Sequence, residues 1–295
     1  MIQGRGAAEL TTASLARESE ALKWLYSLAD MERGVGWDAA SEPGEQWKLG
    51  RTRALLDLAG APDRAMRCVL VAGTKGKGST AAFLAALLHA SGVRAGLYTQ
   101  PHLQTYRERI RVDGAMIAPS AFESAVERER GLVDAFVARH PEAGAPTTFE
   151  VTTALAIDVF ARSRCAVALL EVGLGGRLDA TNATEPALSI IATIDRGHTD
   201  ILGTRLERIA REKAGILRRG RVALIALQRP SARRALVAAC REAGARCRWV
   251  DPLPEGTALA LRGDCQRQNA ALALAAAAEL SVRPRPATLR DLRWP

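Results

Sequence analysis

Residues 67–91 read RCVLVAGTKGKGSTAAFLAALLHAS. Cys68 to Ala72 is an apolar run of strand length, and after Ser79-Thr80 the apolar residues Leu84, Leu87 and Leu88 recur at helical spacing. Between them, Gly73 to Gly78 hold three glycines and two lysines in six residues. Strand, glycine-rich turn and helix make a phosphate cradle: glycines let successive N–H groups turn inward, and the helix N-terminus adds partial positive charge. Gly73, Thr74, Lys75, Gly76, Lys77, Gly78, Ser79 and Thr80 are therefore candidate nucleotide-binding residues. Lys77 is placed to reach the outer phosphates, and Ser79 or Thr80 to offer a hydroxyl to Mg²⁺. The spacing departs from the common G-x-x-x-x-G-K-[ST] pattern, since two residues separate Gly73 from Gly76 and Gly78 follows Lys77. The bland alternative is a glycine-rich β–α turn with solvated lysines.

Outward from this stretch, short apolar runs alternate with helical patterns. Strands are expected at 94–98, 108–112, 167–172, 188–194, 222–226 and 246–250. Helices are expected at 120–140, 148–162, 205–217, 231–244 and 266–280, with residues 1–65 a helical segment leading into the core. Apolar strands alternating with helices predict an α/β fold: a mostly parallel sheet with helices on both faces and ligands beyond the carboxyl ends of the strands. The phosphate loop, Thr99-Gln100-Pro101-His102, the loop GLGGRLDATN (173–182) and the loop carrying His198 would meet there.

The 295 residues suffice for a sizeable core, and 48% hydrophobic with 25% charged residues is ordinary globular composition. No apolar run reaches membrane-spanning length, and the first twenty residues lack the apolar stretch of a secretory signal. The five cysteines form no CxxC pair and read as reduced thiols of the cytoplasm. The net charge of +9 admits nucleic acid or a small polyanion such as ATP. At 4% aromatic residues there is little for base stacking, so solvated arginines plus an anion site is the preferred reading. A nucleic-acid binder would instead show steeply salt-dependent binding.

Four further features carry chemistry. Glu150 has capping-box spacing from Thr147, and is equally placed as a Mg²⁺ ligand at a helix start. His198, in RGHTD, is either a ligand or a structural histidine. Lys213 falls on the apolar stripe of RLERIAREKAGIL, so it either snorkels or is buried for chemistry, where desolvation would free its amine. Arg177, Asp179, Thr181 and Asn182 on their glycine-rich turn suit an anion or a substrate tail.

VAGTKGKGST, GLYTQPHL, RERIRVDG, TTFEVTTAL, LLEVGLGGRLDATN, HTDILG and REKAGI follow one another in an order that resembles the folylpolyglutamate synthases and dihydrofolate synthases of the Mur ligase superfamily. The resemblance covers about residues 45–295. It implies that residues 66–295 are an ATP-binding, Mur-ligase-like domain. It further implies an ATP-dependent ligase that phosphorylates a folate or dihydropteroate carboxyl and then joins it to L-glutamate. By the same resemblance Lys77 is the phosphate lysine, Asn269 contacts the nucleotide, and Glu150 and His198 hold Mg²⁺ together with Ser79. Lys213 would be carbamylated and join the metal ligands, while Pro101, His102, Arg177 and Asp179 would bind substrate. The expected cofactors are ATP and Mg²⁺. The expected partners are small-molecule substrates, with no nucleic acid, no membrane and a monomeric chain.

Three departures stand out. The family commonly has serine as a metal ligand where Gln100 stands, and an amide oxygen would replace it. The family has aspartate where Gly197 precedes His198. The family also continues past Pro295 with a second α/β domain, so the resemblance implies a chain cut before its glutamate-ligase domain, or one working with a separate C-terminal half. The competing reading is a nucleotide-binding module that has lost ligation.

Overall fold

The computed structural model describes residues 12–29, 47–196 and 204–292. Eight strands form one sheet: β1 (Arg67–Ala72), β2 (Ala95–Tyr98), β3 (Ile110–Val112), β4 (Ala115–Met116), β5 (Val167–Glu171), β6 (Pro186–Ile191), β7 (Val222–Ala226) and β8 (Arg246–Val250). Their order is β4-β3-β2-β5-β1-β6-β7-β8. The six strands from β2 to β8 in that order run parallel, and only the β3–β4 edge is antiparallel.

The described helices are α1 (Thr12–Ser27), α2 (Trp47–Leu58), α3 (Lys77–Ala90), α4 (Pro119–Arg139), α5 (Thr148–Arg162), α6 (Leu206–Ala214), α7 (Pro230–Ala243) and α8 (Cys265–Glu279). The period-2 alternation of β1 sorts them into two layers. Cys68, Leu70 and Ala72 point into a core shared with Leu25 of α1, Leu55 and Leu56 of α2, and residues of α4 to α7. Val69 and Val71 point into a second core under α3 and α8, which pack against each other. Both faces of the sheet are therefore covered, which is why its strands read as continuous apolar runs.

Several boundaries differ from expectation for identifiable reasons. The strand expected from Glu108 begins at Ile110, because Thr105 and Glu108 form a capping box that winds 106–109 into a 3₁₀ turn. The strand expected to Ile194 leaves the sheet after Ile191. There the Gln228 side chain takes over, donating to the Ala192 carbonyl and accepting from Ile194 N–H, each at 2.9 Å. The cysteine reading needs correction. Cys240 and Cys247 are joined by a disulfide, since the turn after α7 brings their Cα atoms to 6.3 Å, while Cys68, Cys165 and Cys265 are free.

The chain connections fix where a ligand belongs. From β1 the chain crosses toward β2, whereas from β5, which lies between them, it crosses back over β1 to β6. The crevice of such a sheet opens where connections diverge, at the carboxyl ends of β1 and β5.

Candidate active site

The phosphate loop leaves β1 at Ala72 and enters α3 at Lys77 through Gly76, which adopts φ 84° and caps the helix. That conformation favours glycine, and a Cβ there would also collide with the side-chain oxygen of Asn269 on α8. Asn269 is buried and donates to Gln266 Oε1 at 2.9 Å. The first-turn N–H groups of α3 have no intrahelical partner, which leaves a positive cradle at the crevice.

Lys77 opens that helix, and its Nζ lies 3.6 Å from Glu171 Oε1 at the end of β5. Glu171 is only 4% exposed. Burial pushes its carboxyl above the usual range, against the pull of Lys77 and of the Gln100 N–H that reaches Oε2 at 3.2 Å. Gly78 sits directly over this carboxylate, with room for a hydrogen but little for a methyl group. Gln100 precedes a cis proline, Pro101, and both polar atoms of its side chain are buried without a hydrogen-bond partner. The Thr80 hydroxyl is likewise buried and unpartnered.

Lys213 is on α6 and 4% exposed. Burial, reinforced by the neighbouring Lys77 charge and opposed by Asp179, brings its pKa down to about 8. Its backbone is reached by the loop 173–182: a Cβ on Gly176 would stand 2.6 Å from Glu212 O and 2.9 Å from Lys213 Cα, so only glycine permits the approach. Asp179 holds that loop in shape, accepting from Gly173 and Leu174 N–H at 2.9 Å each and from Thr181 N–H at 3.0 Å. Burial raises its pKa, and the same hydrogen bonds lower it. Arg177 is largely exposed and pairs with Glu212 at 3.3 Å.

The structure thus gathers the loop 73–80, Gln100, Glu171, Asp179, Lys213 and Asn269 at one end of the sheet. Pro101 and His102 continue the same strand-end loop, where His102 Nδ1 accepts from Arg109 Nε at 3.0 Å. Burial and the Arg109 charge lower the pKa of His102. Glu150 is placed otherwise. Its Oε1 accepts from Arg51 Nε on α2 at 3.0 Å and its Oε2 from Thr147 N–H at 2.7 Å, the capping box completed by an ion pair. The carboxylate facing Lys77 is Glu171, and Asp179 is taken up by its own loop. His198 and Gly197 lie outside the described residues. Glu171 was visible in the sequence as an acid ending an apolar strand, a signal that gains meaning only when β5 is paired with β1.

Among the described residues no cluster of three or more His, Cys, Asp or Glu side chains forms a ready metal site. Oxygen donors are present nonetheless: the Glu171 carboxylate, the orphaned Gln100 amide and the hydroxyls of Ser79 and Thr80. Such a set fits a hard cation that keeps several waters, as Mg²⁺ does.

The Mur ligase middle domain model matches residues 71–246. The dihydrofolate synthase/folylpolyglutamate synthase of Bacillus subtilis is 40% identical over 185 residues, which cover 62% of this chain and 43% of that protein. A folylpolyglutamate synthase of Arabidopsis thaliana is 35% identical, covering 88% of this chain and 42% of its own length. The chain thus spans under half the length of these relatives. Among solved structures, Mycobacterium tuberculosis folylpolyglutamate synthase complexed with ADP superposes with a TM-score of 0.84 at 30% identity, over 96% of this chain and 67% of that one. An FPGS–AMPPCP–folate complex superposes at 0.82 with 27% identity, over 94% and 72%. The chain belongs to the folylpolyglutamate synthase and dihydrofolate synthase family of the Mur ligases.

Proposed function

We propose that this chain carries the nucleotide-binding and carboxyl-activating part of an ATP-dependent ligase that joins L-glutamate to a folate or dihydropteroate carboxyl. The observation that carries this reading is the meeting of Lys77, Glu171 and a buried Lys213 around the phosphate cradle. The γ-phosphoryl group of ATP passes to the acceptor carboxylate, giving an acyl phosphate and ADP. The glutamate amine then attacks the acyl carbon, phosphate leaves, and the amine loses a proton. Two anions must approach in the first step, so preorganised positive charge from Lys77 and the helix N-terminus is what the barrier requires.

Mg²⁺ would be held by oxygens of Ser79, Gln100 and Glu171, with His198 added on resemblance, and would supply charge neutralisation at the phosphates. Lys213 suits carbamylation. Its ammonium first releases a proton to solvent; the neutral amine then attacks CO₂, an N–C bond forms as one C=O π bond opens, a second N–H proton leaves to solvent, and the buried cation has become an anion. Asn269 and Gly76 shape the nucleotide side. Pro101, His102 and Arg177 border the acceptor side, with Asp179 shaping their loop. A cytoplasmic setting follows from the proposed substrates. No described helix is long and apolar enough to cross a membrane, while the Cys240–Cys247 disulfide is the feature that stands against a reducing compartment.

Hydroxylamine trapping tests the activating step. With ATP, Mg²⁺ and either folate or dihydropteroate, the expected product is the acceptor hydroxamate, lost in Lys77→Ala. Nucleotide binding without hydroxamate from either acceptor would overturn the ligase reading in favour of a binding module that has lost ligation.

A further inference from the structure

The cradle contains a second lysine, and its surroundings differ from those of Lys77. Lys75 lies between the glycines, yet its side chain is 69% exposed and its Nζ donates to Asp195 Oδ2 at 3.0 Å. The backbone follows the same direction. Thr74 and Lys75 N–H both donate to the Thr193 carbonyl, at 2.9 and 3.1 Å, and the Thr74 hydroxyl donates to the Asp195 carbonyl at 2.9 Å. These loop groups are occupied by the segment that follows β6, so they are not offered to an anion. That segment is held from its other side as well. Gln228 brackets Ala192 and Ile194, and the Arg229 guanidinium at the start of α7 stands 3.8 Å from Asp195 Oδ1.

We infer that Lys75 is a positioning residue whose ammonium clamps the phosphate loop to Asp195, and that it does not grip the nucleotide. A lysine in a glycine-rich phosphate loop would ordinarily be assigned to the phosphates. Here the clamp orients the first half of the loop so that the N–H groups beginning α3 face the ligand. Asp195, shared by Lys75 and Arg229, ties that loop to the exits of β6 and β7. The inference rests on the reading of 73–80 as a nucleotide site.

The two roles for Lys75 predict opposite signs, which direct binding of a fluorescent ADP analogue to the whole chain can read without turnover. If Lys75 is a clamp, Lys75→Ala and Asp195→Asn each weaken binding by about two- to fivefold, the range of one exposed ion pair. The double variant is then no weaker than either single one, and Lys75→Arg, which keeps the pair, binds as the wild type does. If Lys75 grips phosphate, Asp195→Asn frees it and tightens binding, and that result overturns the clamp. Unchanged affinity in both single variants would overturn it equally. Should the wild type bind no nucleotide, the reading of the site fails first. The clamp is then judged by melting temperature, where non-additive losses in the two variants uphold it and additive ones refute it.

Discussion

Lys77 on the first turn of α3 and Glu171 at the end of β5 face each other at 3.6 Å, brought together by the parallel pairing of β1, which feeds α3, with β5. Each compensates the other's burial. The largely buried Lys77 ammonium is held by a carboxylate rather than by solvent. A nucleotide entering the crevice therefore competes for Lys77, and a cation would relieve the carboxylate left behind. The pairing sets opposite charges side by side at the strand ends, whereas Glu150 is turned toward Arg51 of α2.

Glu150 is expected to matter for stability. Glu150→Gln leaves Arg51, itself 4% exposed, without its charged partner. Breaking a buried ion pair costs about 3–5 kcal/mol, readable by urea denaturation. Nucleotide affinity of the surviving folded protein should be unchanged.

Gly76→Ala should abolish nucleotide binding, because its φ of 84° strains any side chain and the new methyl group meets Asn269. The left-handed strain alone is about 1–2 kcal/mol. Adding Asn269→Ala removes the collision but not the strain, so fold stability should recover partly and nucleotide affinity should not. Thermal melting and nucleotide titration of the two variants check this.

Glu129 on α4 is 1% exposed, and neither carboxyl oxygen has a hydrogen-bond partner. Burial, with Asp158 adding to it and Arg128 and Arg162 opposing, pushes its pKa up to about 8. Between its unfolded value and about 8 the folded chain keeps a proton that the unfolded chain has lost. Stability therefore falls as pH rises through that window, by about 1.4 kcal/mol per unit. Glu129→Met should remove this slope and raise the melting temperature at pH 7.5. A wild-type slope retained in the variant would refute the assignment.

Lys213 carries the opposite linkage. Its lowered pKa means that the folded chain has released a proton the unfolded chain keeps between about 8 and the ordinary lysine value, so its burial penalises folding most below pH 8 and fades above it. Lys213→Met should stabilise the fold at pH 7 while removing activity. With ¹³C-bicarbonate, the wild type should show a carbamate carbonyl resonance that grows as pH rises through about 8 and is missing from the variant.

The elements were largely legible. Thr148–Arg162, Val222–Ala226 and Arg246–Val250 lie where periodicity put them, because apolar pattern and flanking breakers agreed. The strand, glycine-rich turn and helix of residues 67–90 were legible for the same reason, as their signals are local. What escaped was non-local. The capping box of Glu150 was visible, but Arg51, 99 residues away, was not. Glu171 looked like the end of a strand until Lys77 was brought opposite it. Cys240 and Cys247 pair only because the turn after α7 folds β8 back against it. The partner of Lys75, Asp195, is 120 residues away and was not legible either.

The most direct test is calorimetric titration of AMPPCP, with and without Mg²⁺, into the wild type, Lys77→Ala, Glu171→Gln and Glu150→Gln. Mg²⁺-dependent binding is expected of the wild type and of Glu150→Gln, loss of binding of Lys77→Ala, and binding that no longer responds to Mg²⁺ of Glu171→Gln. Loss of the Mg²⁺ response in Glu150→Gln with its retention in Glu171→Gln would contradict the assignment of the cation to Glu171.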